Sequence, residues 1–347
     1  MDINTLPYVP QVHLFESELN THLLLANGSQ IYGIDEDLGK RFKEAIRCYD
    51  NELVDRLLEE NGLQTAPRIT NEPPKNIKLH SISLAVAQKC NLGCTYCYAQ
   101  EGSFGGAAKN MSLHTAFRSV DMLLEKMEDG EKAHITYLGG EPLINRELIH
   151  KTTEYAKRLA TSRGIQLGFS LTTNGTLIEA VDMYFFEEHG FAVTISIDGI
   201  GEIHDRLRPN KGGKGSYDNI IKRVSPMLKM QRNMQVSARV TVTPKNLALT
   251  QTLDELVGLG FHSVGFSPML SSPTGREEMD ISSLELMLAQ MIECGETFEK
   301  NMLLGKRYPF SNMVNALKEI HKGTHRPYPC GAGAGYMGIS ADGDLAA

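Results

Sequence analysis

The segment SISLAVA at residues 81–87, followed by QKCNLGCTYC at residues 88–97, decides how this 347-residue chain is interpreted. The first seven residues form a short apolar run of the length expected for a buried strand. Three cysteines follow it within one short loop: Cys90, Cys94 and Cys97. Their thiolates are soft ligands, suited to an iron–sulfur cluster, zinc or copper(I). The segment therefore predicts a metal-binding loop at the end of a strand.

The set of donors favours an iron–sulfur cluster over zinc. A structural zinc site uses four ligands, often as two pairs. This loop supplies three, and no further cysteine or histidine lies close enough in the sequence to complete a set. Three thiolates on a four-iron cluster leave one iron open for an external ligand. A zinc site and three core cysteines that bind no metal are the alternatives.

From residue 81 onward, strand-like and helix-like apolar patterns alternate. The predicted strands are 81–87, 134–138, 166–172, 191–197, 236–242 and 263–267, and the predicted helices are 112–128, 145–162, 176–188, 217–231, 247–259 and 281–303. This alternation predicts an α/β fold with a parallel sheet, curled as a partial (β/α)6 barrel. In such barrels the active site lies at the carboxyl ends of the strands. The cysteine loop follows one of those ends.

Residues 1–70 are expected to form a small α+β domain of the winged-helix-like kind. Three short apolar runs predict strands, and Asn27-Gly28 is a tight-turn signal between the last two. Asp35 is predicted to cap a helix. The apolar face of that helix is expected to comprise Leu38, Phe42, Ile46 and Tyr49.

Three further regions complete the expected organisation. The proline-containing residues 71–80 predict a linker. The barrel is expected over 81–305, and a separate C-terminal region over 306–347. Within the barrel, the basic, glycine-rich loop 204–216 contains Arg208, which is expected to be a solvated charge.

The sequence CNLGCTYCY at 90–98 resembles the signature of the radical S-adenosylmethionine (radical SAM) superfamily, in the form found in its peptide-modifying members. The resemblance implies a 4Fe–4S cluster held by Cys90, Cys94 and Cys97, and S-adenosyl-L-methionine as the second cofactor. It also implies reductive cleavage of that cofactor, followed by removal of hydrogen from a substrate carbon. An external electron donor of the flavodoxin or ferredoxin type would supply the electron.

The same resemblance implies cofactor contacts at the other strand ends. Gly139-Gly140-Glu141 is similar to the family's glycine–glycine–glutamate turn, in which Glu141 accepts a hydrogen bond from the methionyl amine. The remaining expected contacts are Tyr98, Ser170, Thr172, Asn174, Ser196, Asp198 and Arg239. Each of these residues alone has an ordinary structural explanation. Their shared position on one rim of the barrel favours a role in cofactor binding.

The C-terminal residues resemble the start of a SPASM extension, a module that carries auxiliary iron–sulfur clusters. The likeness rests on YPCGAG at 328–333 and ISADGD at 339–344, and it implies that Cys330 ligates an auxiliary cluster. Thr324 stands where many relatives have another cysteine. The pair Asp342-Gly343 predicts a hairpin turn.

Composition excludes some classes of function. A formal net charge of −7 without a long basic run argues against a nucleic-acid partner. Neither a membrane span nor an export signal is visible, so a cytoplasmic location without membrane partners is expected.

The expected function is modification of a peptide or small protein. Within the peptide-modifying branch, the chain most resembles maturation proteins that build thioether cross-links in a subunit of quinohemoprotein amine dehydrogenase. The alternatives are a formylglycine-generating anaerobic sulfatase maturase and a non-catalytic metal-cluster scaffold.

Overall fold

A computed structural model of the chain describes residues 12–17, 20–26, 30–63, 78–322, 331–333 and 335–346. The turn at Asn27-Gly28, most of the predicted linker and Cys330 lie outside these residues. The chain divides into two compact units. Residues 1–75 group with 314–329, and residues 76–313 group with 330–347. This division differs from the expected separate C-terminal region beginning at residue 306.

Residues 12–63 of the first unit form a three-stranded antiparallel sheet and two helices, and residues 314–322 of the same unit belong to a later helix. The elements of residues 12–63 are β1 (Val12–Glu16), β2 (Thr21–Leu25), β3 (Gln30–Ile34), α1 (Glu36–Arg47) and α2 (Asn51–Glu60). The strand order is β1-β2-β3. Asp35 caps α1 as predicted, because its carboxylate accepts a hydrogen bond of 2.8 Å from the backbone N–H of Leu38.

The core of this unit forms between the sheet and the helices. Leu23 from β2, Phe42 from α1 and Leu57 from α2 are fully buried. The prediction that Tyr49 belongs to the apolar face of α1 is wrong. The helix ends at Arg47, and Tyr49 follows with a φ of 54° and a side chain that is 71% exposed.

The second unit contains all six predicted barrel strands in one parallel sheet. They are β4 (Ser81–Ala87), β5 (Lys132–Gly139), β6 (Gln166–Thr173), β7 (Ala192–Ser196), β8 (Gln235–Val242) and β9 (Ser263–Pro268). Two further strands of the C-terminal region join this sheet, β10 (Tyr336–Ile339) and β11 (Leu345–Ala346). Strand β10 pairs in parallel with β4, and strand β11 pairs antiparallel with β10. The C-terminal hairpin therefore extends the barrel sheet.

Helices connect the successive strands. They are α3 (Leu113–Leu124), α4 (Arg146–Ser162), α5 (Ala180–Glu188), α6 (Glu202–Leu207), α7 (Tyr217–Met230), α8 (Leu249–Gly258), α9 (Ile281–Leu303) and α10 (Ser311–Lys322). None of the helices in the described part of the chain is long and apolar enough to cross a membrane.

Alternation along the strands separates an apolar face from a polar one. In β6, Phe169 and Leu171 are buried, whereas Thr172 is exposed. In β7, Val193 and Ile195 are buried in the same way. Successive side chains of a strand point to opposite faces. The second face therefore carries hydroxyl groups towards the carboxyl ends of the strands.

Candidate active site

The cysteine loop directly follows β4 and is held by the segment after α6. The backbone N–H of Gly93 donates to the carbonyl of Pro209 at 2.8 Å, and that of Thr95 donates to the carbonyl of Leu207 at 3.0 Å. Backbone contacts of this kind fix the path of the loop whatever its side chains are. Its three cysteines, Cys90, Cys94 and Cys97, are all half-buried free thiols.

Glycines allow two other loops to approach the cysteine loop closely. A Cβ on Gly139 would overlap the carbonyl oxygen of Ala87, and one on Gly140 would lie 2.5 Å from the carbonyl oxygen of Lys89. Gly102 has a φ of +93°, and a Cβ there would lie 2.9 Å from the backbone nitrogen of Cys90. Only a residue without a Cβ fits at these three positions.

These loops border one cavity of about 430 Å³ at the carboxyl ends of the strands. The residues that line it and were expected at the site are Cys90, Cys94, Cys97, Tyr98, Gly139, Gly140, Thr172, Asn174, Ser196 and Arg239. Tyr98 is 68% exposed. Arg239 is also exposed, and its Nη2 donates to the hydroxyl of Ser267 at 3.2 Å. The structure thus brings ten of the sequence-predicted residues to one cavity.

Glu141 lies outside the lining of the cavity, and its expected hydrogen bond to the methionyl amine of the cofactor stays a prediction. The side chain is fully buried. Its Oε1 accepts hydrogen bonds from the backbone N–H of Leu143 at 3.0 Å and the hydroxyl of Thr173 at 2.7 Å. Its Oε2 accepts one from the backbone N–H of Asn174 at 2.8 Å. Glu141 therefore joins the turn after β5 to the turn after β6.

Asp198 is also buried and lies outside the cavity lining, and its expected role as a cofactor contact stays a prediction. Its carboxylate accepts hydrogen bonds from the hydroxyl of Tyr96 and from the backbone N–H of Thr241, the latter at 2.9 Å. Nη1 of Arg208 lies 3.5 Å from Oδ2 of Asp198 and donates to the hydroxyl of Tyr96 at 2.7 Å. Burial raises the pKa of Asp198, and the charge of Arg208 opposes that shift.

The expectation that Arg208 is a solvated charge is wrong. Its side chain is only 12% exposed, and it lines the cavity together with Tyr96. The chain after α6 returns to the cysteine loop, which brings the guanidinium against Asp198. Sequence analysis also missed Tyr96. The sequence feature that could have indicated Tyr96 is its position between Cys94 and Cys97, two of the expected metal ligands.

Ser170 lies outside the cavity lining, and its expected role as a cofactor contact stays a prediction. Its hydroxyl lies 2.9 Å from Nε2 of His134 and 2.9 Å from the hydroxyl of Thr136. Both partners belong to β5, which pairs with β6. Ser170 therefore takes part in a polar contact between neighbouring strands.

The donor set fits a polynuclear iron–sulfur cluster. Three thiols line the same cavity, and thiolates are the ligands that iron–sulfur clusters use. Burial raises the pKa of Cys94 to about 11, so metal binding at neutral pH must displace a proton.

Comparisons with known sequences agree with this geometry. Residues 84–255, from β4 into α8, match the Radical SAM superfamily. An uncharacterised protein of Methanocaldococcus jannaschii is 34% identical over 229 residues, which cover 65% of this chain and 71% of that protein. The serine-type anaerobic sulfatase-maturating enzyme of Klebsiella aerogenes is 26% identical over 209 residues. That alignment covers 60% of this chain and 51% of the enzyme, so the chain spans about half of this relative.

Solved structures share the fold. Native anSMEcpe with bound AdoMet (S-adenosylmethionine) has a TM-score of 0.63 and 20% identity, with 76% of this chain and 73% of that chain covered. Streptococcus suis SuiB bound to precursor peptide SuiA has a TM-score of 0.56 and 12% identity, with 97% of this chain and 82% of that chain covered. The sequence matches show that the chain belongs to the radical SAM superfamily. That family implies a 4Fe–4S cluster and S-adenosylmethionine.

A buried histidine next to the Asp198 network leads to a prediction about pH. Nδ1 of His204 accepts a hydrogen bond from the backbone N–H of Asp198 at 3.2 Å, and its Nε2 lies 3.0 Å from the hydroxyl of Ser216. Burial lowers the pKa of His204 to about 3, and the charge of Arg208 acts in the same direction. The imidazole is therefore neutral in the folded protein.

We expect His204→Asn to make the free energy of unfolding less sensitive to acid. The unfolded histidine binds a proton near pH 6.5 and the folded one near pH 3, so acid favours unfolding between these values. The contribution of His204 is complete well above pH 6.5, and below that pH its loss approaches about 1.4 kcal/mol for each pH unit. Urea titrations from pH 8 to pH 5 measure this slope.

His114→Asn, at an exposed histidine of α3, is the matched control and should keep the slope of the parent protein. An unchanged slope in His204→Asn would assign the acid sensitivity to other groups.

Proposed function

We propose that this protein is a radical SAM enzyme that modifies a peptide or protein. The observation that carries the proposal is that three half-buried thiols share a glycine-bordered cavity at the carboxyl ends of parallel strands. One-electron reductive cleavage of S-adenosylmethionine, with hydrogen abstraction from substrate, is the chemistry that the cluster and cofactor supply when bound. A flavodoxin- or ferredoxin-type protein would donate the electron.

The chain's own residues hold and orient the reactants. Cys90, Cys94 and Cys97 would ligate the cluster. Arg208 and Arg239 place positive charge at the cavity, which favours the carboxylate of an amino-acid moiety. Radical chemistry depends on positioning more than on acid–base groups, and a cavity with fixed walls limits which substrate carbon is reached.

The names of similar proteins support a peptide or protein substrate. The relatives include serine-type and cysteine-type anaerobic sulfatase-maturating enzymes and the radical SAM cyclopropyl synthase TigE of Paramaledivibacter caminithermalis. Structural neighbours include anSMEcpe with the Cp18Cys peptide and SuiB with precursor peptide SuiA. We infer that the substrate of this chain is also a polypeptide.

For the bond formed, we propose thioether cross-linking of the quinohemoprotein amine dehydrogenase type, with Cys330 in an auxiliary cluster. The support is a separate compact unit that precedes the cysteine loop in the sequence. Formylglycine formation is the second candidate, and the sulfatase-maturating relatives favour it.

The mass and reactivity of the product distinguish these two candidates. The enzyme would be incubated anaerobically with dithionite, S-adenosylmethionine and either a small cysteine-rich protein or a sulfatase peptide. Thioether formation removes two hydrogen atoms and one free thiol for each bond and resists reductants. Formylglycine carries an aldehyde that reacts with hydrazides. We expect the thioether product, and an aldehyde on the sulfatase peptide alone would assign the second function.

The central claim predicts the effect of removing the three cysteines together. The variant with Cys90, Cys94 and Cys97 changed to alanine should bind no 4Fe–4S cluster and form no 5′-deoxyadenosine, because no thiolate remains to ligate iron. Iron content, visible absorption and chromatography of the product measure this. Cys48→Ala, at an exposed cysteine of the first unit, is the control and should retain both properties. Cleavage of S-adenosylmethionine by the triple variant would refute the proposal.

A second prediction concerns the first unit, which we propose recruits the substrate polypeptide. The outer strands of its sheet are β1 and β3, and an extended peptide can pair with such an edge. Every proposed cofactor residue follows residue 81, so deletion of residues 1–70 should leave cofactor cleavage nearly intact and sharply reduce modification of the polypeptide. Parallel assays of 5′-deoxyadenosine and of modified substrate test this. Full modification by a soluble, cluster-bearing truncation would exclude recruitment, and loss of the cluster would indicate a structural role.

A further inference from the structure

We propose that Asn174 is a positioning residue that sets the reduction potential of the cluster through a hydrogen bond to Cys90. This inference rests on the proposed function, since it takes Cys90 to be a cluster ligand. Asn174 is expected to contact S-adenosylmethionine, and it lines the cavity. In the structure its side-chain amide faces the cysteine loop.

The sulfur of Cys90 has two hydrogen-bond donors. Nδ2 of Asn174 lies 3.7 Å from Sγ, and the backbone N–H of Leu92 lies 3.4 Å from the same atom. Within the described residues, no hydrogen bond reaches the sulfur of Cys94 or Cys97. The hydrogen bonding of the three ligands is therefore asymmetric, and only one of the two donors to Cys90 is a side chain.

The orientation of the Asn174 amide follows from its neighbours. Its Oδ1 accepts hydrogen bonds from the backbone N–H of Thr176 at 2.9 Å and from the hydroxyl of Thr176 at 2.6 Å. Because a backbone N–H can only donate, the oxygen of the amide must face Thr176. The NH2 group must then face Cys90 and Asn91, and Nδ2 donates to Oδ1 of Asn91 at 3.0 Å.

Burial and a second set of contacts hold this arrangement in place. Asn174 is 4% exposed, and its backbone N–H is held by the carboxylate of Glu141. Asn91 completes a ring of contacts, because its Nδ2 donates to the hydroxyl of Thr176 at 2.8 Å. An outer partner that is fixed in this way keeps its ligand oriented.

The expected electronic effect follows from charge. Reduction adds negative charge to an iron–sulfur cluster and its thiolate ligands. An N–H donor to a ligand sulfur stabilises that added charge, and hydrogen bonds to the sulfurs are known determinants of cluster potential. The effect is strengthened where water is excluded. Removal of the donor should therefore shift the potential to more negative values.

Two variants at position 174 and one matched control test the inference. Asn174→Asp keeps the oxygen that accepts from Thr176 but replaces the donor to Cys90 with an oxygen. Asn174→Ala removes the amide altogether. Asn91→Ala removes the other contact of Nδ2 but leaves the donor to Cys90 in place. Redox titrations followed by electron paramagnetic resonance give the midpoint potential of each anaerobically loaded protein.

We expect a more negative potential in both Asn174 variants, larger for Asn174→Asp, and the parent value in Asn91→Ala. A tenfold change in the reduction equilibrium corresponds to about 59 mV for a one-electron couple. An unchanged potential in both Asn174 variants would overturn the inference. Equal shifts in Asn91→Ala and Asn174→Ala would overturn it as well, because they would assign the effect to loop tethering.

Iron content and circular dichroism separate the remaining outcomes. Folded Asn174 variants that hold no cluster would overturn potential tuning and assign Asn174 to cluster assembly. A parent protein that binds no 4Fe–4S cluster would refute the proposed function itself. If the parent cleaves S-adenosylmethionine and all variants share its potential, only the inference about Asn174 fails.

Discussion

The carboxylate of Asp198 is fully buried, and an uncompensated charge in that position would cost several kcal/mol. Three groups from different segments compensate it: the hydroxyl of Tyr96, the guanidinium of Arg208 and the backbone N–H of Thr241. They belong to the cysteine loop, to the segment after α6 and to the end of β8. One buried charge thus draws three segments together, and the position of the proposed metal ligands depends on it.

The carboxylate of Glu141 is also buried, and hydrogen-bond donors from the turns after β5 and β6 stabilise it. Its three hydrogen bonds come from Leu143, Thr173 and Asn174, and the last of these also contacts Cys90. In the structure Glu141 and Asp198 therefore bind backbone and side chains of the protein. The lining of the cavity includes thiols, glycines, hydroxyl groups and two arginines.

The barrel could be predicted from sequence because its strands are short apolar runs separated by helical patterns. For β4 the predicted and observed limits coincide. The burial of Arg208 could not be predicted, since it depends on a return of the chain to the cysteine loop. The parallel pairing of β10 with β4 could not be predicted for a similar reason, because local sequence predicts a hairpin and not its neighbour in the sheet. The orientations of the Glu141 and Asp198 side chains could not be predicted either, because their hydrogen-bond donors are far away in the sequence.

The glycines of this barrel differ in whether their surroundings leave room for a side chain. At Gly102, Gly139 and Gly140 an added methyl group would meet backbone of another loop, so even alanine would force the loops apart. At Gly212, in the basic loop, nothing lies within 4 Å of an added Cβ. Random mutagenesis should therefore give fewer tolerated substitutions at the crowded glycines than at Gly212. Substitutions should be recovered at Gly212, whereas Gly102, Gly139 and Gly140 should stay glycine in any surviving population.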